Sequence, residues 1–260
     1  MRVKGAGVSS FWSTVRISFL FSAIDLRRRW FDYAANILGP YIAAAVLTVF
    51  FGAILKGYLQ GYADYARHVV IGIIVWSYVS STAVEGSAIL SRWPSIVRYS
   101  DVPLLAVAMS IVWRHSLYFA INLLFALSLL AVFMDFSPDW STSIQLAAAA
   151  VVMIALCHGL TVVAMVCGGR FRGMNQILVG SFNVAFLLTP ILWKENFAGR
   201  FEFVVRLNPF RHLVEIVRGP ISEGGVDIQA WAVATLVLSA TLGLAVWLWR
   251  RYEPEVRYWI

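Results

Sequence analysis

Leu104–Phe133 reads LLAVAMSIVWRHSLYFAINLLFALSLLAVF, thirty residues with one arginine, one histidine and no acid. As a helix it would be about 45 Å long, more than the ~30 Å of hydrocarbon in a bilayer. Such a run predicts a membrane span that tilts or extends past the lipid. Five further apolar runs flank it: Leu38–Leu55, His68–Val84, Ile144–Cys167, Ile177–Trp193 and Ala230–Trp249. Six spans place both termini on one side.

The whole chain has the same character. Of its 260 residues 60% are hydrophobic and only 13% charged, where soluble domains are nearer half and a quarter. A globule of this size cannot hide that much apolar surface, which excludes a disordered chain, a coiled coil and an ordinary soluble enzyme.

The net charge of +7 would suggest nucleic acid in a soluble protein. Distributed over the spans, it does not. With the N-terminus inside, the inner pieces 1–37, 86–103, 168–176 and 250–260 carry 13 Lys and Arg against five acids. The outer pieces 56–67, 134–143 and 194–229 carry seven against eight. The positive-inside rule accounts for the excess, and nucleic acid is not needed. No secretory signal peptide is evident, since the first strongly apolar run begins well inside the chain, behind Arg27-Arg28-Arg29.

The connections differ in kind. Residues 9–36 place Phe11, Val15, Phe19 and Ala23 at near-helical spacing against Arg16, Asp25 and the arginine cluster. This predicts an amphipathic helix in the inner interface, the plainer alternative being a basic flank. The outer segment 194–229 has short apolar patches on either side of Asn208-Pro209 and ends near Gly219-Pro220, which predicts two short re-entrant helices. The fold expected is therefore all-α integral membrane. A single domain over 1–260 would hold an interface helix, spans one to five over 38–193, re-entrant outer helices between spans five and six, span six over 230–249 and a tail over 250–260.

Chemistry is sparse. There is no phosphate-cradling G-x-x-x-x-G-K-[ST], no G-x-S-x-G and no H-E-x-x-H. The four histidines lie on separate segments without ligand spacing, so no metal site is expected. Cys157 and Cys167 sit on one run, about 15 Å apart as a helix, too far to pair. Within the membrane Glu85 and Arg114 are the ionisable candidates, toward the inner ends of neighbouring spans. They read as a structural ion pair or two snorkelling side chains, with a transport site as the functional alternative.

Aromatic stripes stand out. Phe182, Phe186, Thr189 and Trp193 share one face of span five, and Arg114, Tyr118, Asn122 and Phe125 one of span three. Trp76 and Ser80 share a face of span two, and Tyr41 and Thr48 one of span one. Aromatic faces stack on sugar rings while hydroxyls and amides bond their edges, so a sugar conduit would use Tyr41, Trp76, Ser80, Tyr118, Asn122, Phe182, Phe186 and Trp193. Helix packing and interface anchoring are the plainer uses.

In order along the chain, several stretches resemble one family. Ile111-Val112-Trp113-Arg114-His115 resembles its Trp-Arg pattern, with His115 in place of Asn. Arg170-Phe171-Arg172-Gly173 with Gln176-Ile177 is similar to R-F-R-D-x-x-Q-I, with Gly173 in place of Asp. Thr189-Pro190-Ile191-Leu192-Trp193 matches T-P-[IV]-x-W, and Leu207-Asn208-Pro209-Phe210 with Leu213 and Arg218 matches L-N-P-x-x-x-L and its trailing Arg. The ending Arg257-Tyr258-Trp259-Ile260 resembles a terminal aromatic motif. These are features of the permease subunits of type-2 ABC exporters for O-antigen and related cell-surface polysaccharides. The family's R-Y-x-x-x-x-L-G-x-x-W is only partly present, as Arg29-Trp30-Phe31 and Leu38-Gly39-Pro40-Tyr41.

The resemblance implies a homodimer with two separate ATP-binding cassette subunits, which would hold ATP and Mg. This chain itself would bind no cofactor and catalyse no covalent step. It implies a polyprenyl-pyrophosphate-linked glycan as substrate, a channel between protomers and a bacterial inner membrane with both termini cytoplasmic. Ser91–Pro103 would couple to the ATPase through Arg92, Trp93, Pro94, Ile96, Arg98 and Tyr99. Arg27, Arg28 and Arg29 would draw in the lipid's anionic head, with anchoring to anionic phospholipid as the plainer reading. Other type-2 substrates (capsule, teichoic acid, a drug) are alternatives. So is a membrane enzyme for lipid-linked sugars using Glu195, Glu202 or Glu215, although their spacing selects no catalytic pair.

Overall fold

Two residues set the starts of the two longest helices. Pro103, extended at φ −62° and ψ 127°, precedes α5 (Leu104–Phe133), a helix start being where proline's missing N–H costs least. Asp139 precedes α6 (Trp140–Arg170), and its carboxylate accepts the Thr142 N–H at 2.7 Å, satisfying one donor of the first turn. Hydrogen bonds from the Thr142 hydroxyl and from its N–H hold the Asp139 carboxyl below its ordinary pKa. The predicted span Leu104–Phe133 is one unbroken helix.

The computed structural model describes residues 13–20, 30–54, 62–92, 94, 103–134, 136–195, 199–222, 225–256 and 258–259. The remaining helices are α1 (13–20), α2 (Trp30–Ile54), α3 (Tyr62–Ser87), α4 (Ile89–Arg92), α7 (Met174–Leu188), α8 (Glu202–Leu207), α9 (Pro209–Ser222) and α10 (Ile228–Val256). Among the described residues there is no strand. Among the described residues, four helices are long and apolar enough to cross a membrane: Ala63–Ser87, Leu104–Phe133, Trp140–Arg170 and Ile228–Val256. Two apolar helices are shorter by that measure, Ala34–Phe50 within α2 and Met174–Leu188.

Predicted span five, Ile177–Trp193, overruns its helix. α7 stops at Leu188, and Thr189 turns extended at φ −88° and ψ 135°. The cause is Pro190, which disfavours the helical region for the residue before it. Ile191, Leu192 and Trp193 continue the apolar run but not the helix.

α3 is the axis. It packs against α2, α5, α6, α7 and α9, while α10 lies along α6 and α9. Val69, Ile71, Val75, Val79 and Ala83 of α3 are buried in the main core with Val112, Met153, Leu156 and Ile216. A second cluster, Ile89, Leu90, Leu104, Met165 and Val256, closes the end of the bundle where α3 and α6 finish. Here the helices cross closely. A Cβ on Gly168 would lie 2.0 Å from the Ser87 carbonyl oxygen, so only glycine lets the two backbones meet. This is the Glu85 end. The opposite, Glu195 end gathers the starts of α3 and α10 with the α7–α9 connection.

The outward faces are apolar. Leu38, Ile42, Val46 and Val49 line α2, and Ile177, Val184 and Leu188 line α7, all exposed. Stripes of this kind are stable against lipid or another apolar surface, not against water.

Candidate functional site

At the Glu195 end the irregular backbone 189–193 is held by polar side chains from both flanks. Asn208 stands between α8 and α9. Its Oδ1 accepts the Phe210 N–H at 2.9 Å, capping α9 ahead of Pro209. Its Nδ2 donates to Thr189 Oγ1 at 3.0 Å, and Thr189 Oγ1 donates to the Ala185 carbonyl at 2.8 Å.

Arg218 of α9 reaches the same backbone. Its Nη1 donates to the Pro190 carbonyl at 3.0 Å and its Nη2 to the His68 carbonyl at 3.2 Å. The side chain is only 4% exposed, with the Glu215 carboxylate 3.9 Å away. Tyr65 donates its hydroxyl to the Leu192 carbonyl at 2.7 Å, and His68 Nε2 lies 3.2 Å from the Trp193 carbonyl. The carbonyls of Pro190, Leu192 and Trp193 are thus all met. Non-helical backbone at membrane depth persists only where protein supplies those partners.

Gly72 leaves the space for this. A Cβ there would fall 2.7 Å from Arg218 Nη2 and 2.9 Å from Ile191 Cγ2. Further out, Arg211 makes two bonds to Glu195, at 2.5 and 3.1 Å. Burial alone would lower the Arg211 pKa, but Glu195, helped by Glu215 and Asp227, raises it.

The Glu85 end holds a second polar node. Glu85 accepts from Arg114 Nη2 at 2.5 Å, His115 Nε2 at 2.8 Å and Arg92 Nη1 at 3.3 Å. Sequence placed Glu85 and Arg114 as neighbours. It did not bring in His115, nor join Arg92 of the expected coupling segment to the same carboxylate. Asn175 adds a clasp, donating to the Val84 carbonyl at 2.9 Å and to Ser87 Oγ at 3.0 Å.

The aromatic residues expected along a sugar path fall into separate groups. Trp76 packs on Phe182, Phe186 and Phe210, with ring centroids 5.8, 5.6 and 5.3 Å away. Sequence singled out the first three; Phe210 joins from α9. Ser80 turns its hydroxyl back onto the Trp76 carbonyl at 2.8 Å. Trp193 folds its indole N–H onto the Leu187 carbonyl at 3.1 Å. Tyr41 donates its hydroxyl to the Asn122 carbonyl and packs edge-on against Phe125. Asn122, Tyr118 and His115 help line a cavity of about 30 Å³, in which Asn122 Oδ1 is buried with no hydrogen-bond partner among the described residues. That is room for a water or two beside an acceptor.

Pro94 is exposed. Trp93, Ile96, Arg98, Tyr99 and Arg27, Arg28 and Arg29 lie outside the described residues. The three glutamates weighed for an enzyme site lie beside arginines: Glu195 beside Arg211, Glu202 beside Arg206 and Glu215 beside Arg218. Among the described residues no three His, Cys, Asp or Glu side chains converge as a metal site would require. No protein-family model matches the chain, and no curated protein matches it significantly.

Proposed function

We propose that this chain is the permease subunit of an ATP-driven exporter. It would move a polyprenyl-linked, O-antigen-like polysaccharide across a bacterial inner membrane. The observation supporting this most is a meeting of stretches. Thr189-Pro190, Asn208-Pro209 and Arg218, distant in sequence and each part of the family resemblance, bond to one another at one end of the bundle. The lone Trp-Arg pattern closes on Glu85 at the other.

In this reading six spans cross the membrane, with α2 and α7 as the first and fifth. Both termini and the Glu85 end are cytoplasmic. α8 and α9 are a re-entrant pair closing the outer mouth. Two copies enclose the path, and the apolar stripes of α2 and α7 face lipid or the second protomer. Two separate ATPases bind the segment around Arg92. Their closure moves that segment, and the Arg92–Glu85–Arg114 contacts carry the movement to α5. The chain itself performs no covalent chemistry.

The test is co-purification from native membranes. A stable complex with an ATPase, whose hydrolysis rises on adding a lipid-linked glycan, is the expected result. A complex stimulated instead by a teichoic acid-like polymer or a drug would retain the permease and change its substrate. A monomer that associates with no ATPase would contradict the reading.

A further inference from the structure

Two cavities flank Arg67 near the Glu195 end. One is a basin of about 480 Å³, within the ~300–1,000 Å³ of ordinary ligand sites. Its wall carries four cationic side chains, from Arg67, Lys194, Arg211 and Arg218, and four carboxylates, from Asp64, Glu195, Glu215 and Asp227. The other is an apolar slot of about 170 Å³ between α3 and α5, walled by Val70, Ile71, Leu130 and Phe133 among others. Arg67 belongs to both.

We infer that the pair forms a binding site for one phospholipid with a zwitterionic, primary-amine head group. The order of parts along such a lipid is ammonium, phosphate, acyl chain. The order in the protein is carboxylate-bearing basin, Arg67, apolar slot. The phosphate falls at the junction, where Arg67 is anchored by Asp64 at 2.5 Å and retains further donors. Lys194, with no ion pair among the described residues, faces the same basin.

Charge selects the head group. Leaving His68 aside, the basin's charges balance, so it offers a purely anionic head no net attraction, whereas a zwitterion finds both signs. The ammonium is primary because, among the described residues, no Trp, Tyr or Phe side chain lines the basin. A quaternary ammonium is held by aromatic faces, while carboxylates accept N–H bonds that only the primary amine can give. The slot takes acyl chain and nothing polar.

Native mass spectrometry of the purified chain in mixed micelles tests this, with phosphatidylethanolamine, phosphatidylcholine and phosphatidylglycerol of identical acyl chains. The expected result is retention of the ethanolamine lipid about tenfold above either of the others. Lys194→Gln should cut that retention several-fold. Val70→Trp, which fills the slot, should abolish it. Lys194 is half-buried at the rim, so Lys194→Gln stays informative if Val70→Trp misfolds. Equal retention of the three lipids, meaning annular lipid only, overturns the site. Choline equal to ethanolamine overturns the assignment of the amine, and unchanged retention in Lys194→Gln overturns the placement of the head group.

Discussion

Gly72→Ala should be far more damaging than its size suggests. The new methyl carbon would sit 2.7 Å from Arg218 Nη2 and 2.9 Å from Ile191 Cγ2. A long side chain usually swings away from such a clash at small cost. Arg218 cannot, because it is 4% exposed and bonded to the carbonyls of Pro190 and His68. Ile191 is fully buried. Overpacking of this kind costs about 1–3 kcal/mol, and the loss of one of Arg218's hydrogen bonds about 1 kcal/mol more. We expect about 2–4 kcal/mol. At ~2–4 °C per kcal/mol for chains of similar size, thermal unfolding in detergent, followed by fluorescence-detected gel filtration, should fall by roughly 5–15 °C. Gly243→Ala is the control. That glycine lies on exposed α10 with nothing within 4 Å of a Cβ, so it should be neutral or gain up to about 1 kcal/mol. Identical melting of Gly72→Ala and wild type would show that Arg218 does not occupy that space, and the account of the 189–193 backbone would fail.

Glu85→Gln removes the carboxylate charge that Arg114 meets at 2.5 Å. Because the glutamate side chain is 22% exposed, the loss should be about 2–3 kcal/mol, below the ~3–5 kcal/mol of a fully buried pair. The swap Glu85→Arg with Arg114→Glu should restore part of it in the same melting assay. Failure to rescue would refute the pairing. Asn208→Ala removes both the α9 cap and the bond to Thr189, for about 1–2 kcal/mol. Asn208→Asp keeps the cap alone, so melting should place it between Ala and wild type. Asp139→Ala should lower the melting temperature by removing the α6 cap. The folded-state pKa of Asp139 is depressed, so its ionised-state contribution is present above the unfolded pKa and is lost as pH falls through the folded one. The melting difference between wild type and Asp139→Asn should shrink on acidification, and a difference that grows would contradict the cap.

The span Leu104–Phe133 was fully legible because Pro103 before it and Asp135, Pro138 and Asp139 after it bound it. Span five was not. Hydropathy runs smoothly through Thr189–Trp193, while the helix ends at Leu188, and the only local signal is Pro190. The two short helices about Asn208-Pro209 were readable from punctuation. The role of Arg218 was not, since it depends on Gly72 and on carbonyls 28 and 150 residues away. The aromatic stripe of Phe182 and Phe186 was visible as a face, but periodicity cannot tell what a face meets. Here it meets Trp76 and Phe210. Likewise Glu85 and Arg114 could be paired from their depth, whereas the join to Arg92 requires the turn between α3 and α4 to bring it back.

The central claim is that this chain exports a lipid-linked glycan only with an ATPase bound. Proteoliposomes holding the chain and its captured ATPase, loaded with a fluorescent polyprenyl-pyrophosphate glycan, measure this directly. The account predicts ATP-dependent movement of the glycan to the opposite leaflet, lost when the ATPase is omitted. Equal movement of glycan or solute by the isolated chain without ATP would contradict it.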